Sequence, residues 1–153
     1  MNTAVSTEVN QVAAFSRFLD KFKPQMALAL PKHLTADRMT RLVLSQFSGN
    51  TKLQECTPHS IASSVMTASA LGLEPGINGQ GFLVPYNDWR KKIVTCQFIP
   101  GWKGLVDIAN RSGRCTVWTG AVFHGDEFEY ALGDRPFVNH KPGDEDDPSR
   151  LAY

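Results

Sequence analysis

Between Asp88 and His124 the chain gathers six Lys or Arg (Arg90, Lys91, Lys92, Lys103, Arg111, Arg114) against two acids (Asp88, Asp107), together with all three of its tryptophans, Trp89, Trp102 and Trp118. Cations beside large flat rings suit a single-stranded nucleic acid, because phosphates attract counter-charge and unpaired bases need stacking surfaces. Two plainer readings compete with this one. A basic hairpin loop is often only solvated, and an indole at the start of an amphipathic helix often fills a core.

Bond-making chemistry finds less to work with. Gly76, Gly79 and Gly81 form a glycine-rich stretch with no following Lys-Ser/Thr, so the phosphate cradle of a nucleotide hydrolase is missing. His33, His59, His124 and His140 are scattered and have no metal-ligand spacing. His124, Asp126, Glu127 and Glu129 are the one dense cluster near the basic region that a metal-dependent nuclease could use, and a turn with solvated carboxylates explains them better. The expectation is therefore no catalytic residue, no metal and no cofactor. Cys56, Cys96 and Cys115 are odd in number and far apart, without a C-x-x-C pair, which suits a reducing cytoplasm rather than a disulfide framework.

The elements that must position the cations follow from periodicity. Residues 81–86 and 93–99 read as two strands joined by a wet loop at 87–92, and residues 102–112 as a helix that Gly113 ends. Gly101, Gly104 and the helix start bring backbone N–H groups together beside Lys103, which suits a phosphate or, alternatively, a close-packed junction that needs glycine for room. Lys103 and Arg111 are eight residues apart, about 12 Å along a helix axis and about 80° in direction. They can line a groove with Arg114 and Trp118, with Lys92 and Gln97 as the opposite wall; the competing role for Arg111 is an ion pair with Asp107.

Upstream, residues 1–8 are polar and expected to be frayed. Val12, Phe15, Phe18, Leu19 and Phe22 predict a helix from Val9 that Pro24 ends or kinks, and residues 25–30 a second one. Thr35 caps a third, with Met39, Leu42, Val43 and Phe47 as its buried stripe, and Thr57-Pro58 starts a fourth that Gly72 ends. Downstream, residues 116–123 read as a strand, 127–132 as its antiparallel partner, 143–148 as an acidic loop and 150–153 as the start of another strand. The fold class is α+β: N-terminal helices, then an antiparallel hairpin and meander with an inserted helix.

At 153 residues, 42% apolar and 20% charged, the chain fits one globular domain over 1–153. Its net charge of +1 hides a polarity: residues 1–87 carry +2, residues 88–124 carry +4 and residues 125–153 carry −5. A local basic groove is compatible with this; a uniformly basic coat is not. Neither a signal peptide nor an apolar run of about 20 residues is present, so a cytoplasmic protein without membrane attachment is expected.

The wording of the blocks is more specific than their composition. Leu71-Gly72-Leu73-Glu74-Pro75-Gly76, then Gly81-Phe82-Leu83-Val84-Pro85-Tyr86, then Gly101-Trp102-Lys103-Gly104-Leu105-Val106-Asp107-Ile108-Ala109 with Arg111-Ser112-Gly113, closely resemble the RecT family of bacteriophage-type single-strand DNA annealing proteins. The likeness extends upstream through Leu30-Pro31-Lys32-His33-Leu34-Thr35 and Asp37-Arg38-Met39. Downstream it runs through Gly125-Asp126-Glu127-Phe128 to His140-Lys141-Pro142-Gly143. Trp102-Lys103 stands where the family often has a tyrosine before Arg or Lys, and Trp89 is an addition to the basic loop; both keep an aromatic next to a cation. The resemblance implies ATP-independent binding of single-stranded DNA and annealing of complementary strands through a duplex intermediate. It also implies homo-oligomeric rings or filaments, a partner exonuclease, the host single-strand binding protein, a bacterial cytoplasm, and a family region continuing beyond residue 153. A self-assembling scaffold module with incidental DNA binding is the alternative from another class.

Overall fold

The computed structural model describes residues 3–117, 119–144 and 146–153, with side chains of the first helix from Asn10 onward. The chain divides into two compact units, Met1–Thr116 and Val117–Tyr153. The α+β class expected from the sequence is observed: helices come first, then antiparallel strand pairs. No helix among the described residues is long and apolar enough to cross a membrane.

In the first unit, α1 (Thr3–Asp20) buries Phe15 and Leu19, whose spacing of four puts them on one face. It starts upstream of the expected Val9, since a helix anchored by packing propagates through polar residues at little cost. Pro24 does not end α1. It sits in the first turn of α2 (Lys23–Ala29), where a missing N–H is no loss. In α3 (Ala36–Gly49) the Thr35 hydroxyl accepts from the Arg38 N–H at 3.3 Å, and Met39, Val43 and Phe47 are buried, with Leu42 only half-buried. Asn50 then caps a single turn, α4 (Thr51–Gln54), which is too short to show a period in the sequence.

Helix α5 (Pro58–Leu71) is central. Ile61, Val65 and Ala68 are buried, and so are Ala62, Ser64 and Ser69 on its other faces. It stops at Gly72, whose φ of 66° is left-handed and open to glycine without strain. Strands β1 (Gly81–Asp88) and β2 (Ile93–Pro100) form a two-stranded antiparallel sheet in which Phe82 faces Ile99, Val84 faces Gln97 and Tyr86 faces Thr95. Helix α6 (Trp102–Arg111) follows at once.

Two serines one turn apart fasten the hairpin to α5. Ser60 Oγ accepts from the Cys96 N–H (2.9 Å) and Ser64 Oγ donates to the Cys96 carbonyl (2.9 Å). The Thr57 N–H adds a bond to the Val94 carbonyl at 3.0 Å. The outer edge of β2 is thereby engaged at Val94 and Cys96, where an open sheet edge would offer unpaired groups.

The second unit corrects the expected meander. The described residues among 116–123 form no strand; Phe123 makes only an isolated bridge with Leu151, which is also all that becomes of the strand expected from residue 150. The partner of β3 (Glu127–Ala131) is instead β4 (Phe137–Lys141). Cross-strand pairing decides this: Glu127 lies opposite Lys141 with an ion pair of 3.0 Å, and Phe128 lies opposite His140 in an edge-on ring contact. Residues 116–123 are rich in β-formers, but only Val122 and Phe123 find backbone partners, in residues 151–153, and a contact that short makes a bridge rather than a sheet.

Candidate nucleic-acid interface

The tip of the hairpin is built by Asp88, whose Oδ1 accepts the backbone N–H groups of Arg90 and Lys91, each at 3.1 Å. The loop of residues 89–92 is closed by Lys92 in a left-handed conformation, φ 52°. A non-glycine residue in that region is strained by about 1–2 kcal/mol. Arg90, Lys91 and Lys92 are exposed; the Lys91 ammonium lies 4.0 Å from Asp88, at the outer limit of an ion pair. An open hollow of about 450 Å³ at this tip is lined by Asn87, Asp88, Trp89, Lys92, Ile93 and Val94.

At the other end of the hairpin, α6 is seated by two glycines. A side-chain carbon at Gly101 would fall 2.1 Å from the Gly79 carbonyl oxygen, and one at Gly104 would fall 2.1 Å from that of Gln80, so only glycine lets the helix start lie on this turn. The packing leaves Trp102 exposed outside the core, with the Lys103 ammonium 5.5 Å from the centre of its ring. A cation over an indole keeps both groups in place with little ordering left to do. Gln97 is exposed on β2, opposite Val84.

Of the remaining expected residues, Arg111 is engaged elsewhere. Arg111 forms the ion pair with Asp107 (2.9 Å), and its guanidinium also donates to the carbonyls of Leu71 (3.0 Å) and Gly72 (3.3 Å). It thus caps the C-terminal end of α5 and ties α6 to it, committing the Nε and Nη2 donors of its guanidinium. Arg114 is exposed just beyond the helix, its backbone N–H on Ser112. Trp118 lies outside the described residues. The sequence reading missed Phe82 and Tyr86, which share the outward face of the hairpin with Gln97 and Ile99. The alternation of Phe82, Leu83, Val84, Pro85 and Tyr86 carries that signal, since period two sends every second side chain to the same side.

The cluster considered for metal chemistry is otherwise engaged. Asp126 accepts the N–H groups of Gly143 and Phe123, both at 2.9 Å, and meets His140 Nε2 at 2.7 Å. These bonds, in that order of weight, pull its carboxyl down to about 2. Glu127 is paired with Lys141, and among the described residues no three His, Cys, Asp or Glu side chains converge to hold a metal. Nor is there an activated thiol in the core: burial first, and the neighbouring Cys96 and Glu55 after it, push the Cys56 thiol up to about 11, and burial raises Cys96.

The sequence profile of the RecT family matches residues 37–151. The chain belongs to the RecT family. It is also similar to Protein RecT of Escherichia coli strain K12, 36% identical over 129 residues, which is 82% of this chain and 48% of that protein. The chain thus spans about half the length of that relative. No solved structure matches it. The RecT-family match takes in the hairpin, the helix after it and the turn between them, so the surface described above lies wholly inside it.

Proposed function

We propose that this chain is the DNA-binding and annealing core of a recombination protein, taking up single-stranded DNA and pairing it with a complementary strand. The observation that carries this is the hairpin itself: three exposed cations at its tip and an exposed Trp102–Lys103 pair at its base, in a chain of the RecT family. Family membership supplies the activity, and the geometry supplies a surface suited to it. Annealing requires independence of sequence, so contacts go to phosphates and base faces rather than base edges. No bond is made or broken, and no nucleotide hydrolysis is needed, which fits the lack of a phosphate-cradling motif with its Lys-Ser/Thr in these residues.

The working form in this reading is a homo-oligomer, ring or filament, in the cytoplasm of a bacterial host. A partner exonuclease exposes the strand, and the host's single-strand binding protein covers it. Arg90, Lys91, Lys92, Trp102 and Lys103 are the first contacts, with Gln97 beside them and Arg114 as an outlying cation.

The test is salt-dependent binding to a homothymidine oligonucleotide by the Arg90→Ala/Lys91→Ala/Lys92→Ala variant. Each lost phosphate contact lowers the log–log salt slope by about 0.7 for a single strand, so three contacts lower it by about 2. An unchanged slope with an intact fold would place the DNA elsewhere.

A further inference from the structure

We propose that Arg38, Glu74 and Gln80 are positioning residues for the single-strand site: they fix the segment of residues 71–80, on which α6 rests, and so hold Trp102 and Lys103 where a strand meets them. This rests on the reading of the hairpin and the start of α6 as the DNA surface.

Helix α6 is tied to that one segment at both of its ends. At its start the Gly101 N–H donates to the Gln80 carbonyl at 2.9 Å, and side-chain carbons at Gly101 and Gly104 would fall 2.1 Å from the carbonyl oxygens of Gly79 and Gln80. At its end Arg111 donates to the carbonyls of Leu71 (3.0 Å) and Gly72 (3.3 Å). Gly104 is the only buried residue of α6, with Ile108 packed part-buried against the core, so these polar ties set where the helix lies.

The segment is in turn strapped to α3. Glu74 is only 8% exposed, and its carboxylate takes both Nε and Nη2 of Arg38 in a fork, the latter at 3.0 Å. About two turns further along α3, the Gln46 carboxamide donates to the Pro75 carbonyl at 2.7 Å. Gln80 closes the turn, its side-chain oxygen accepting the Glu74 N–H at 2.8 Å. The backbone here needs such ties: Gly76, Asn78 and Gly79 lie at φ 75°, 49° and 68°, and left-handed residues propagate no regular element. A buried ion pair adds little over a packed apolar pair, whereas a planar fork fixes direction as well as distance.

Lys103 meets the segment directly. A side-chain carbon at Gly79 would lie 3.6 Å from its Cδ, so the stem of the cation runs over the turn, and its ammonium stands 5.5 Å from the centre of the Trp102 ring. The Leu71–Gly76 block itself holds no cation and no aromatic ring, so its bearing on DNA is through what it carries.

The sign of one substitution separates positioning from charge. Glu74→Leu removes a negative charge and frees Arg38, which by electrostatics alone raises affinity for a polyanion. If the fork positions the site, affinity for a homothymidine oligonucleotide falls instead, by about two- to tenfold, the effect of releasing a rotamer-rich side chain from its seat. In a Trp102→Ala/Lys103→Ala background that loss should disappear, because residues of one network are not additive and nothing is left to position. Gln80→Leu leaves the charge unchanged and should show the same dependence, so it carries the test if circular dichroism shows Glu74→Leu unfolded. Affinity unchanged or raised in the folded variants, or equal losses with and without Trp102 and Lys103, would overturn the proposal even where the denaturation midpoint falls. The underlying reading fails differently: Trp102→Ala/Lys103→Ala then binds as tightly as the parent and the slope effect of Arg90→Ala/Lys91→Ala/Lys92→Ala vanishes, whereas both effects persist if only the positioning is wrong.

Discussion

Replacing Lys92 by glycine sets the energetic cost of a backbone against the use of a charge. Lys92 closes the hairpin loop at φ 52°, where an L-residue is disfavoured by about 1–2 kcal/mol and glycine is not. Glycine loses about 0.5–1 kcal/mol of that gain through the extra freedom of its unfolded chain. The side chain is exposed, and among the described residues no hydrogen bond or ion pair of its ammonium offsets the difference. Lys92→Gly is therefore expected to be about 0.5–1 kcal/mol more stable, a rise in Tm of about 2–5 °C for a unit of this size. If the cation touches a phosphate, the same change weakens single-strand binding and lowers the salt slope by about 0.7. Lys92→Asn, which tolerates the left-handed region, should behave alike, and Lys92→Arg should keep both the strain and the affinity. Differential scanning calorimetry and salt-dependent fluorescence titration read the two effects separately. A lower Tm in Lys92→Gly would refute the strain argument, and an unchanged salt slope would assign the ammonium to solvent.

Two further outcomes follow from the geometry. Arg111→Glu removes an ion pair and two bonds to the carbonyls ending α5, and sets a second carboxylate beside Asp107; at the partial exposure of this side chain the loss is about 1–3 kcal/mol, read as a lower denaturation midpoint. DNA affinity lost at an unchanged midpoint would return Arg111 to the groove. Asp126 has its carboxyl lowered to about 2 from an ordinary 3.8, so its bonds to Gly143, Phe123 and His140 contribute stability that is complete above about pH 4 and lost as the pH falls toward 2. Asp126→Asn should remove that part of the acid sensitivity of the tyrosine near-ultraviolet signal from the Phe128–Tyr130–Tyr153 cluster, and identical acid profiles for the two proteins would exclude the carboxylate as its source.

The sequence by itself determined what depends on neighbours a few residues away. Thr35 announces α3, Pro58 and Gly72 bracket α5, and the breaks at residues 87–92 place the hairpin loop to within two residues, Asn87 and Asp88 pairing as the end of β1, because caps, left-handed stops and turn residues act within one turn of chain. The ordered blocks from Leu71 to Gly113 also disclosed the family, and with it the expected activity. Tertiary structure decided the rest. Pro24 could end one helix or begin the next, and packing chose the second. The described β-forming residues among 116–123 pair only at Val122 and Phe123, with the chain end at 151–153, while β3 takes β4 as its partner. A list of cations cannot say which are already committed: Lys103 and Arg111 stand on one helix, yet Arg111 is held by Asp107 and the end of α5, while Lys103 stands over an open indole ring. Phe82 and Tyr86 look like core residues by type, and stay exposed only because the register turns them outward where no part of the described unit covers them. Periodicity tells which side chains share a face; only the packed fold tells which face is left to the solvent.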